Sequence, residues 1–221
     1  MLAKELISDV LPSVKTSDTG AQALSWMETF RVSHLPIVNN SDFLGLISDN
    51  DIYALDDVEQ ALGNHNLSLF SPFVDENQHI YEVIELISRL KLSVVPVVKE
   101  GKEYLGLISM HDLILQFAKL TSANQPGGIL VLAMTVHDYS LTEISRIIEE
   151  NNAKILSVYV DTQEDSMELE LTIKVNTNDM SAIIRSLERY DYSIKASFLE
   201  DDKLDALYRD RYEEFMRFLN I

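Results

Sequence analysis

The first half of the chain contains two copies of one pattern of apolar and polar positions. In each copy, apolar residues at helical spacing are followed by a short apolar run, a polar turn and a second apolar run. The helical positions are Ala21, Leu24, Met27 and Phe30 in the first copy and Ile80, Val83, Ile84, Ile87 and Leu90 in the second. Short apolar runs bounded by turn residues suit buried strands. The pattern therefore predicts two units, each with the order strand, helix, strand, strand and helix.

The two copies align along most of their length. Residues 10–38 fall on residues 70–98, which is an offset of 60. One extra residue in the second copy raises the offset to 61, and the segment Leu-Gly-Leu-Ile-Ser at residues 44–48 then recurs without a difference at residues 105–109. A match of this length identifies a duplicated structural unit.

A duplicated unit predicts a paired arrangement. One unit alone is small and would expose an apolar sheet face, whereas two copies can bury these faces against each other. We therefore expect a pseudo-two-fold axis between the copies, with Pro36 and Pro96 in equivalent places. The helix that closes each unit is expected near residues 50–62 and 110–120.

A different pattern begins after residues 121–128, whose composition is that of a linker. Strands are predicted at residues 129–134, 155–160, 167–175 and 192–198, and helices over Leu141, Ile144, Ile147 and Ile148 and over Met180, Ile183, Ile184 and Leu187. The order βαββαβ is that of the ferredoxin-like fold. Strict alternation in the third strand leaves one face open, and this face carries Glu168, Glu170, Thr172 and Lys174.

Two further patterns in this half predict the start of one helix and the presence of another. Ser140 and Glu143 have the spacing of a capping box at the start of its first helix. Residues 201–221 have apolar residues at helical spacing, which predicts an amphipathic C-terminal helix. Its apolar positions are Leu204, Leu207, Tyr208, Tyr212, Phe215, Met216 and Leu219. We expect this helix to pack on its own domain, with a dimer contact as the alternative.

Composition and charge narrow the functional classes. The chain has no cysteine, which excludes disulfides, thiolate metal sites and cysteine nucleophiles. Its formal net charge of −18 repels nucleic acid and anionic membrane surfaces, so neither is an expected partner. Glu5 and Asp9 interrupt the first apolar stretch, so no signal peptide is predicted, and no apolar run is long enough to span a bilayer. We therefore expect a cytoplasmic protein.

The sequence carries no pattern that indicates catalysis. The five histidines form neither His-x-x-x-His nor His-Glu-x-x-His, which leaves a zinc-protease type of site without support. The glycine-rich loops Gly-x-x-x-x-Gly-Lys and Gly-x-Gly-x-x-Gly do not occur, and neither does a Gly-x-Ser-x-Gly elbow. The chain is therefore expected not to be an enzyme and not to bind a metal.

Each copy ends on the same motif, which is Gly, two apolar residues, Ser, two variable residues and Asp. It reads Gly-Leu-Ile-Ser-Asp-Asn-Asp at residues 45–51 and Gly-Leu-Ile-Ser-Met-His-Asp at residues 106–112. With a helix and an x-Pro-apolar-Val strand before it, this motif resembles the end of a CBS domain, which occurs in tandem as a Bateman module. The resemblance covers residues 1–120 and implies CBS domains at residues 1–62 and 63–122 in a mixed α/β (α+β) fold.

The resemblance implies clefts between the units that bind adenosine-containing ligands. In such clefts Asp51 and Asp112 would accept hydrogen bonds from ribose hydroxyls, and Ser48 and Ser109 would lie near the phosphate. A carboxylate can accept hydrogen bonds from two adjacent hydroxyls, so the chemistry suits this role. Ser followed three residues later by Asp is also helix-capping chemistry, and a purely structural role remains the alternative.

The two copies differ in the segment after their first strand. Proteins that resemble this one often carry a Thr-rich segment there, which closes over the nucleotide. The first copy has Lys15 and Thr16 at this place, whereas the second has Asp75 and Glu76, which would repel a phosphate. We therefore expect Lys15 and Thr16 to contribute to ligand binding and the first site to be the stronger one.

Residues 128–221 resemble an ACT domain, a small regulatory module that often binds amino acids. The resemblance rests on residues 153–158, which follow the first helix of this half. ACT domains that bind amino acids often have Asp-x-Pro-Gly before that helix, and residues 136–140 lack the Pro and the Gly. We therefore expect a structural or dimerising ACT-like domain. The whole domain order resembles that of the acetoin-utilisation B proteins, which implies an architecture and no substrate.

Two classes of function follow from this sequence. The first is a cytoplasmic regulatory sensor that binds AMP, ATP or S-adenosylmethionine as a regulatory ligand and requires no other cofactor. The alternative is a dimerisation scaffold without a ligand, or a regulatory partner of a metabolic enzyme. A homodimer is expected in either case, because closed two-fold pairing is the commonest outcome for flat helical and sheet faces. The sequence does not indicate which protein is regulated.

Overall fold

The computed structural model describes residues 1–67, 69–162 and 167–199. The chain divides into two compact units, Met1–Phe117 and Ala118–Ile221. The predicted C-terminal helix at residues 201–221 lies outside the described residues. The first unit contains one hydrophobic core for each repeat, and the second unit contains one core.

The first unit contains both sequence repeats around one five-stranded sheet. The first repeat comprises α1 (Gly20–Phe30), β1 (His34–Asn39), β2 (Asp42–Ser48) and α2 (Asp49–Tyr53). The second comprises β3 (Val74–Asp75), α3 (Ile80–Leu90), β4 (Val94–Lys99), β5 (Glu103–Ser109) and α4 (Met110–Leu120). Short 3-10 helices occur at Ala3–Glu5 and Leu62–Asn64. The strand order β1-β2-β5-β4-β3 places the two inner hairpin strands side by side.

The two repeats have the same strand register. Pro36 pairs with Leu46, and Pro96 pairs with Leu107, which is Leu46 shifted by 61 residues. Both hairpins also have an irregularity at the same place, after Ile37 in the first repeat and after Val97 in the second. The predicted duplication, with Pro36 and Pro96 equivalent, is therefore confirmed.

Reciprocal backbone hydrogen bonds join the repeats in the middle of the sheet. The amide of Phe43 donates to the carbonyl of Lys102 at 3.3 Å, and the amide of Tyr104 donates to the carbonyl of Ser41 at 2.8 Å. Phe43 and Tyr104 are equivalent positions, and the same shift of 61 relates Ser41 to Lys102. This exchange is what a pseudo-two-fold axis between the copies produces.

Each repeat is completed by the segment that precedes the other repeat. The amide of Ser8 donates to the carbonyl of Leu107 at 2.8 Å, and Ala3 and Leu6 are buried in the core around α3 and β5. In the same way, the amide of Leu46 donates to the carbonyl of Phe70 at 2.8 Å, and Leu62 is buried in the core of the first repeat. The N-terminal segment thus packs with the second repeat, while the domain boundaries at residues 62 and 122 remain a prediction.

The helix that ends the first repeat is shorter than the sequence pattern predicts. The prediction of a helix over residues 50–62 is wrong, because α2 ends at Tyr53. A turn follows in which the Asp57 carboxylate accepts hydrogen bonds from the amide of Glu59 at 3.0 Å and from the side chain of Gln60 at 3.0 Å. Asp favours such local hydrogen bonds over helix. The equivalent helix α4 runs over residues 110–120 as predicted.

The second unit has the predicted βαββαβ order. It comprises β6 (Ile129–Thr135), α5 (Leu141–Glu150), β7 (Ile155–Thr162), β8 (Glu168–Val175), α6 (Ser181–Arg189) and β9 (Ser193–Phe198). The sheet order β7-β8-β6-β9 is antiparallel throughout, which is the ferredoxin-like arrangement. The alternation in β8 is also confirmed, since its core face is buried and its other face is not.

The capping box predicted at the start of α5 is only half present. The Ser140 hydroxyl accepts a hydrogen bond from the amide of Glu143 at 3.4 Å, as a cap should. The Glu143 carboxylate instead accepts a hydrogen bond from the Tyr192 hydroxyl at 2.8 Å. Glu143 bonds to Tyr192 instead of to the backbone at the start of its own helix, because a buried tyrosine hydroxyl needs an acceptor.

Candidate ligand-binding site

The Ser and Asp of each repeated motif are in direct contact. In the first copy, the Ser48 hydroxyl donates to Asp51 Oδ2 at 2.7 Å and the Asp51 amide donates back to the Ser48 hydroxyl at 3.1 Å. In the second copy, the Ser109 hydroxyl donates to Asp112 Oδ2 at 2.7 Å and the Asp112 amide donates back at 3.0 Å. Capping chemistry is thus present in both copies. It engages Oδ2 and leaves Oδ1 of each carboxylate without a hydrogen bond to the described residues.

The two copies differ in how accessible they are. Asp51 is exposed, whereas Ser109 is buried and Asp112 is half-buried. Asp51 also lines a cavity of about 220 Å³, together with Ala54, Leu55, Asn66, Leu67 and Leu69. Small-molecule sites usually occupy about 300–1,000 Å³, so this cavity is large enough for only part of such a ligand.

Lys15 and Thr16 lie away from the Ser48–Asp51 pair. The Thr16 hydroxyl accepts a hydrogen bond from the Asn39 amide group at 2.9 Å, at the end of β1, while Ser48 pairs with His34 at its beginning. The five steps along the strand from His34 to Asn39 span about 17 Å, at roughly 3.3 Å per residue. The segment that contains Lys15 and Thr16 pairs in parallel with β1, through Val14 and Ile37. The residues after Val14 therefore lie progressively farther from His34. The structure therefore does not bring Lys15 and Thr16 together with the other predicted site residues.

His34 adjoins the candidate site and was not among the residues predicted from the sequence. It is the cross-strand partner of Ser48, and directly paired residues point to the same face of a sheet. The signal was present in the repeat alignment, because His34 falls on Val94 in the second copy. A polar residue where the other copy has an apolar one marks a difference between the two sites.

The His34 ring also contacts the second repeat. Its Nδ1 lies 3.0 Å from the Ser33 hydroxyl oxygen and 3.1 Å from that of Ser93, and the Ser33 amide donates to the Ser93 hydroxyl at 3.0 Å. Burial lowers the pKa of His34, and the negative charges of Asp49 and Asp51 oppose this effect. The ring thus lies between the acidic first site and the boundary between the repeats.

A wide cleft opens on the same boundary from the side of α1. Its volume is about 890 Å³, and Arg31, Ser33, Asp49, Ser93 and Met110 are among the residues that line it. Ser33 and Ser93 are equivalent positions, as are Asp49 and Met110, so this cleft reaches the boundary between the repeats, while its other lining residues belong to the first repeat. Its size suits a small molecule, and Arg31 supplies a positive charge.

The second unit contains a cavity of about 720 Å³ with an acidic wall. The carboxylates that line it are Asp138, Glu143, Asp161, Glu168, Glu170 and Asp191. Burial, with the hydrogen bond to Glu143, raises the pKa of Tyr192 in this wall to about 12. The cavity includes residues of the loop before α5, and these charges would oppose the carboxylate of an amino-acid ligand. Within residues 1–67, 69–162 and 167–199, no group of three or more His, Cys, Asp or Glu side chains is arranged to hold a metal ion.

The protein-family model for the CBS domain matches residues 3–56 and 70–119. These two ranges correspond to the two structural repeats and include both Ser-x-x-Asp motifs. The chain carries a tandem pair of CBS domains. The family match ends at residue 119, before the first strand of the second unit, so the ACT-like character of that unit and the likeness to acetoin-utilisation B proteins remain predictions.

Part of this chain is similar to a curated protein and to solved structures. Inosine-5'-monophosphate dehydrogenase of Methanocaldococcus jannaschii is 26% identical over 145 residues, which is 65% of this chain and 29% of the dehydrogenase. A CBS domain pair/ACT domain protein of Thermotoga maritima has a TM-score of 0.48 at 24% identity, over 54% of this chain and 98% of that one. CBSX2 in complex with AMP has a TM-score of 0.46 at 18% identity, over 53% and 96%.

The chain spans 29% of the length of the curated relative, so the reaction of the dehydrogenase is not carried over to it. CBS pairs are typically regulatory elements rather than catalytic ones. Among the described residues, no helix is both long enough and apolar enough to cross a membrane.

Proposed function

We propose that this protein is a cytoplasmic regulatory sensor whose CBS pair binds an adenosine-containing ligand at the first Ser-x-x-Asp motif. CBS pairs generally bind such ligands. The observation that carries the proposal for this chain is the position of Asp51. Its carboxylate is exposed at a cavity and is held in place by Ser48 through Oδ2, which leaves Oδ1 available to a ligand.

The chemistry of the Ser48–Asp51 pair, at the junction of β2 and α2, suits a ribose. The Ser48 amide and hydroxyl both donate to Asp51 Oδ2, at 2.9 and 2.7 Å, and fix the orientation of the carboxylate. A carboxylate oriented in this way can accept hydrogen bonds from two neighbouring hydroxyls without losing side-chain entropy on binding. Ser48, at the start of α2, would then lie beside the phosphate.

The role proposed for Lys15 and Thr16 changes with the structure. Because Thr16 contacts Asn39 at the far end of β1, the two residues are not proposed as direct ligand contacts of the Asp51 site. The first site is favoured for another reason, which is that Asp51 is exposed at a cavity whereas Ser109 is buried. Ser109 and Asp112 are proposed as a second, weaker site.

The test is calorimetry on protein that has been freed of nucleotide. AMP, ADP, ATP and S-adenosylmethionine are titrated into the wild type, Asp51→Ala and the matched variant Asp112→Ala. Loss of a charged hydrogen-bond acceptor costs about 1.5–3 kcal/mol, so Asp51→Ala should weaken binding roughly ten- to hundred-fold. Asp112→Ala should have a smaller effect. Absence of binding heat with all four ligands at millimolar concentration would refute the sensor function.

The scaffold function is kept as a second candidate because of exposed apolar residues on the helices. Tyr53 on α2 and Ile114 on α4 occupy equivalent positions, and their side chains are 70% and 62% exposed. Large apolar side chains at equivalent places on two helices favour pairing with a second copy of the chain. The ACT-like unit, which we propose as a structural or dimerising domain, would support the same assembly.

A further inference from the structure

The first site contains an ionisable ring that the second site lacks. His34 lies opposite Ser48, whereas the equivalent Val94 is fully buried opposite Ser109. Directly opposite residues of an antiparallel pair have Cα atoms about 4.5–5.5 Å apart. A phosphate beside Ser48 would therefore lie within roughly 5–8 Å of the His34 ring, where two charges still interact appreciably near a protein surface.

We infer that His34 takes up a proton when a phosphate-bearing ligand occupies the first site, and that it is the residue by which this site prefers a nucleotide to a nucleoside. The inference rests on the proposed function. It goes beyond it because it assigns the recognition of the ligand's charge to one side chain. It also distinguishes the two sites, since Val94 offers no charge to a phosphate at the second.

The hydrogen-bond partners of His34 accommodate either protonation state. The Ser33 and Ser93 hydroxyls lie 3.0 and 3.1 Å from Nδ1, and a hydroxyl can donate to a neutral ring or accept from a charged one by rotation. Among the contacts that the described residues make with Nδ1, only that of the Ser93 amide, at 3.4 Å, requires an unprotonated nitrogen. Protonation can therefore occur in the folded protein at the cost of one weak contact between the repeats.

The charges around the ring set its response. Asp49 and Asp51, from the corner between β2 and α2, favour the charged form, and the second repeat contributes the neutral Ser93 at this point. Burial outweighs both carboxylates and keeps the pKa of His34 below its ordinary value in the free protein. A bound phosphate adds negative charge near the ring, so it shifts the balance toward the imidazolium.

The experiment measures proton uptake during binding. AMP and adenosine are titrated into the full chain near pH 6.8 in two buffers with different ionisation enthalpies, for the wild type and for His34→Val, which copies Val94. The phosphate of AMP itself titrates near pH 6. The test is therefore the difference between wild type and variant, which we expect to be roughly half a proton per AMP. His34→Val should also weaken AMP about twofold, which is the gain in affinity that an uptake of half a proton supplies, and leave the affinity for adenosine unchanged.

Each outcome of this experiment has a separate meaning. If AMP binds to both proteins with equal proton uptake, or if AMP and adenosine weaken together in the variant, the inference about His34 is overturned while the sensor function stands. If neither AMP nor adenosine binds to the wild type, the proposed function fails first. Thermal melting of His34→Val at pH 7.5 shows whether the variant is folded, and His34→Gln repeats the comparison with a polar side chain if it is not.

Discussion

The Nδ1 atom of His34 lies 3.1 Å from the hydroxyl oxygen of Ser93, in a contact that joins the two CBS repeats. Burial lowers the pKa of this ring in the folded protein, so folding favours its neutral form. The stability that depends on this neutrality is present above the unfolded pKa of about 6.5 and is lost as the pH falls below it.

This relation predicts an acid-sensitive fold between pH 7.5 and 5.5. We expect the free energy of unfolding of the wild type to fall more over this interval than that of His34→Asn, whose carbonyl oxygen can take the place of Nδ1 and does not titrate. Denaturant unfolding at both pH values measures the difference. An equal change in the two proteins would show that His34 is not the group responsible, since the reduced repulsion among the many carboxylates affects both alike.

A second prediction concerns the glycine of each Ser-x-x-Asp motif. Gly45 and Gly106 both have φ near +150°, and a Cβ on them would lie 2.7 Å from Leu69 Cβ and 2.4 Å from Ile7 Cγ2. Gly→Ala at either position should cost about 2–4 kcal/mol, from backbone strain together with the clash. Urea unfolding measures this loss. Gly101→Ala is the matched control, because its φ is also positive but a Cβ there meets nothing within 4 Å.

A third prediction follows from the exchange of segments between the repeats. Leu6 precedes the first repeat in sequence but is buried in the core of the second, beside the residues of α3. Leu6→Ala should destabilise the chain by about 2–5 kcal/mol. In hydrogen exchange, the loss of protection should appear in β4 and β5 more than in β1 and β2. Leu62→Ala, which empties a position in the core of the first repeat, should give the opposite order.

The extent to which sequence predicted this structure depends on the range of the interactions. The duplication, the strand pairs and the ferredoxin-like order follow from periodicity within about ten residues and from a repeat that can be counted. The short α2 was missed because the hydrogen bonds of Asp57 compete with helix at a place where the apolar spacing continues. The Glu143 partner was missed because Tyr192 is distant in sequence.

The candidate site shows the same division. The pairing of Ser48 with Asp51 is local and could be read from a spacing of three residues. The position of Thr16 could not be predicted from such a spacing. It depends on the parallel pairing of Val14 with Ile37, which fixes the direction in which the chain leaves the site. His34 escaped notice because its importance comes from Ser48 across the strand and from Ser93 in the other repeat.

The last prediction concerns assembly. The side chains of Met110, Ile114 and Phe117 lie three and four residues apart on α4 and are 51%, 62% and 38% exposed, which forms an apolar stripe along one side of the helix. Burial of such a stripe against a second copy would remove the largest apolar side chains of this helix from water. A stable dimer buries roughly 800 Å² on each partner, so α4 would supply part of the interface and Tyr53 on α2 another part.

Sedimentation velocity at micromolar concentration should show a homodimer for the wild type and a monomer for Ile114→Asp. A charge buried in the interface without a partner costs several kcal/mol, which is enough to raise the dissociation constant by a factor of about a thousand or more. Because Ile114 is exposed within the protomer, the variant should keep the melting behaviour of a folded monomer when measured far below the dissociation constant. The control is Asp56→Asn, a substitution at an exposed residue, and its sedimentation should not differ from that of the wild type. A wild type that sediments as a monomer at these concentrations, with or without AMP, would remove α4 as a self-association surface and leave its stripe for the regulated partner.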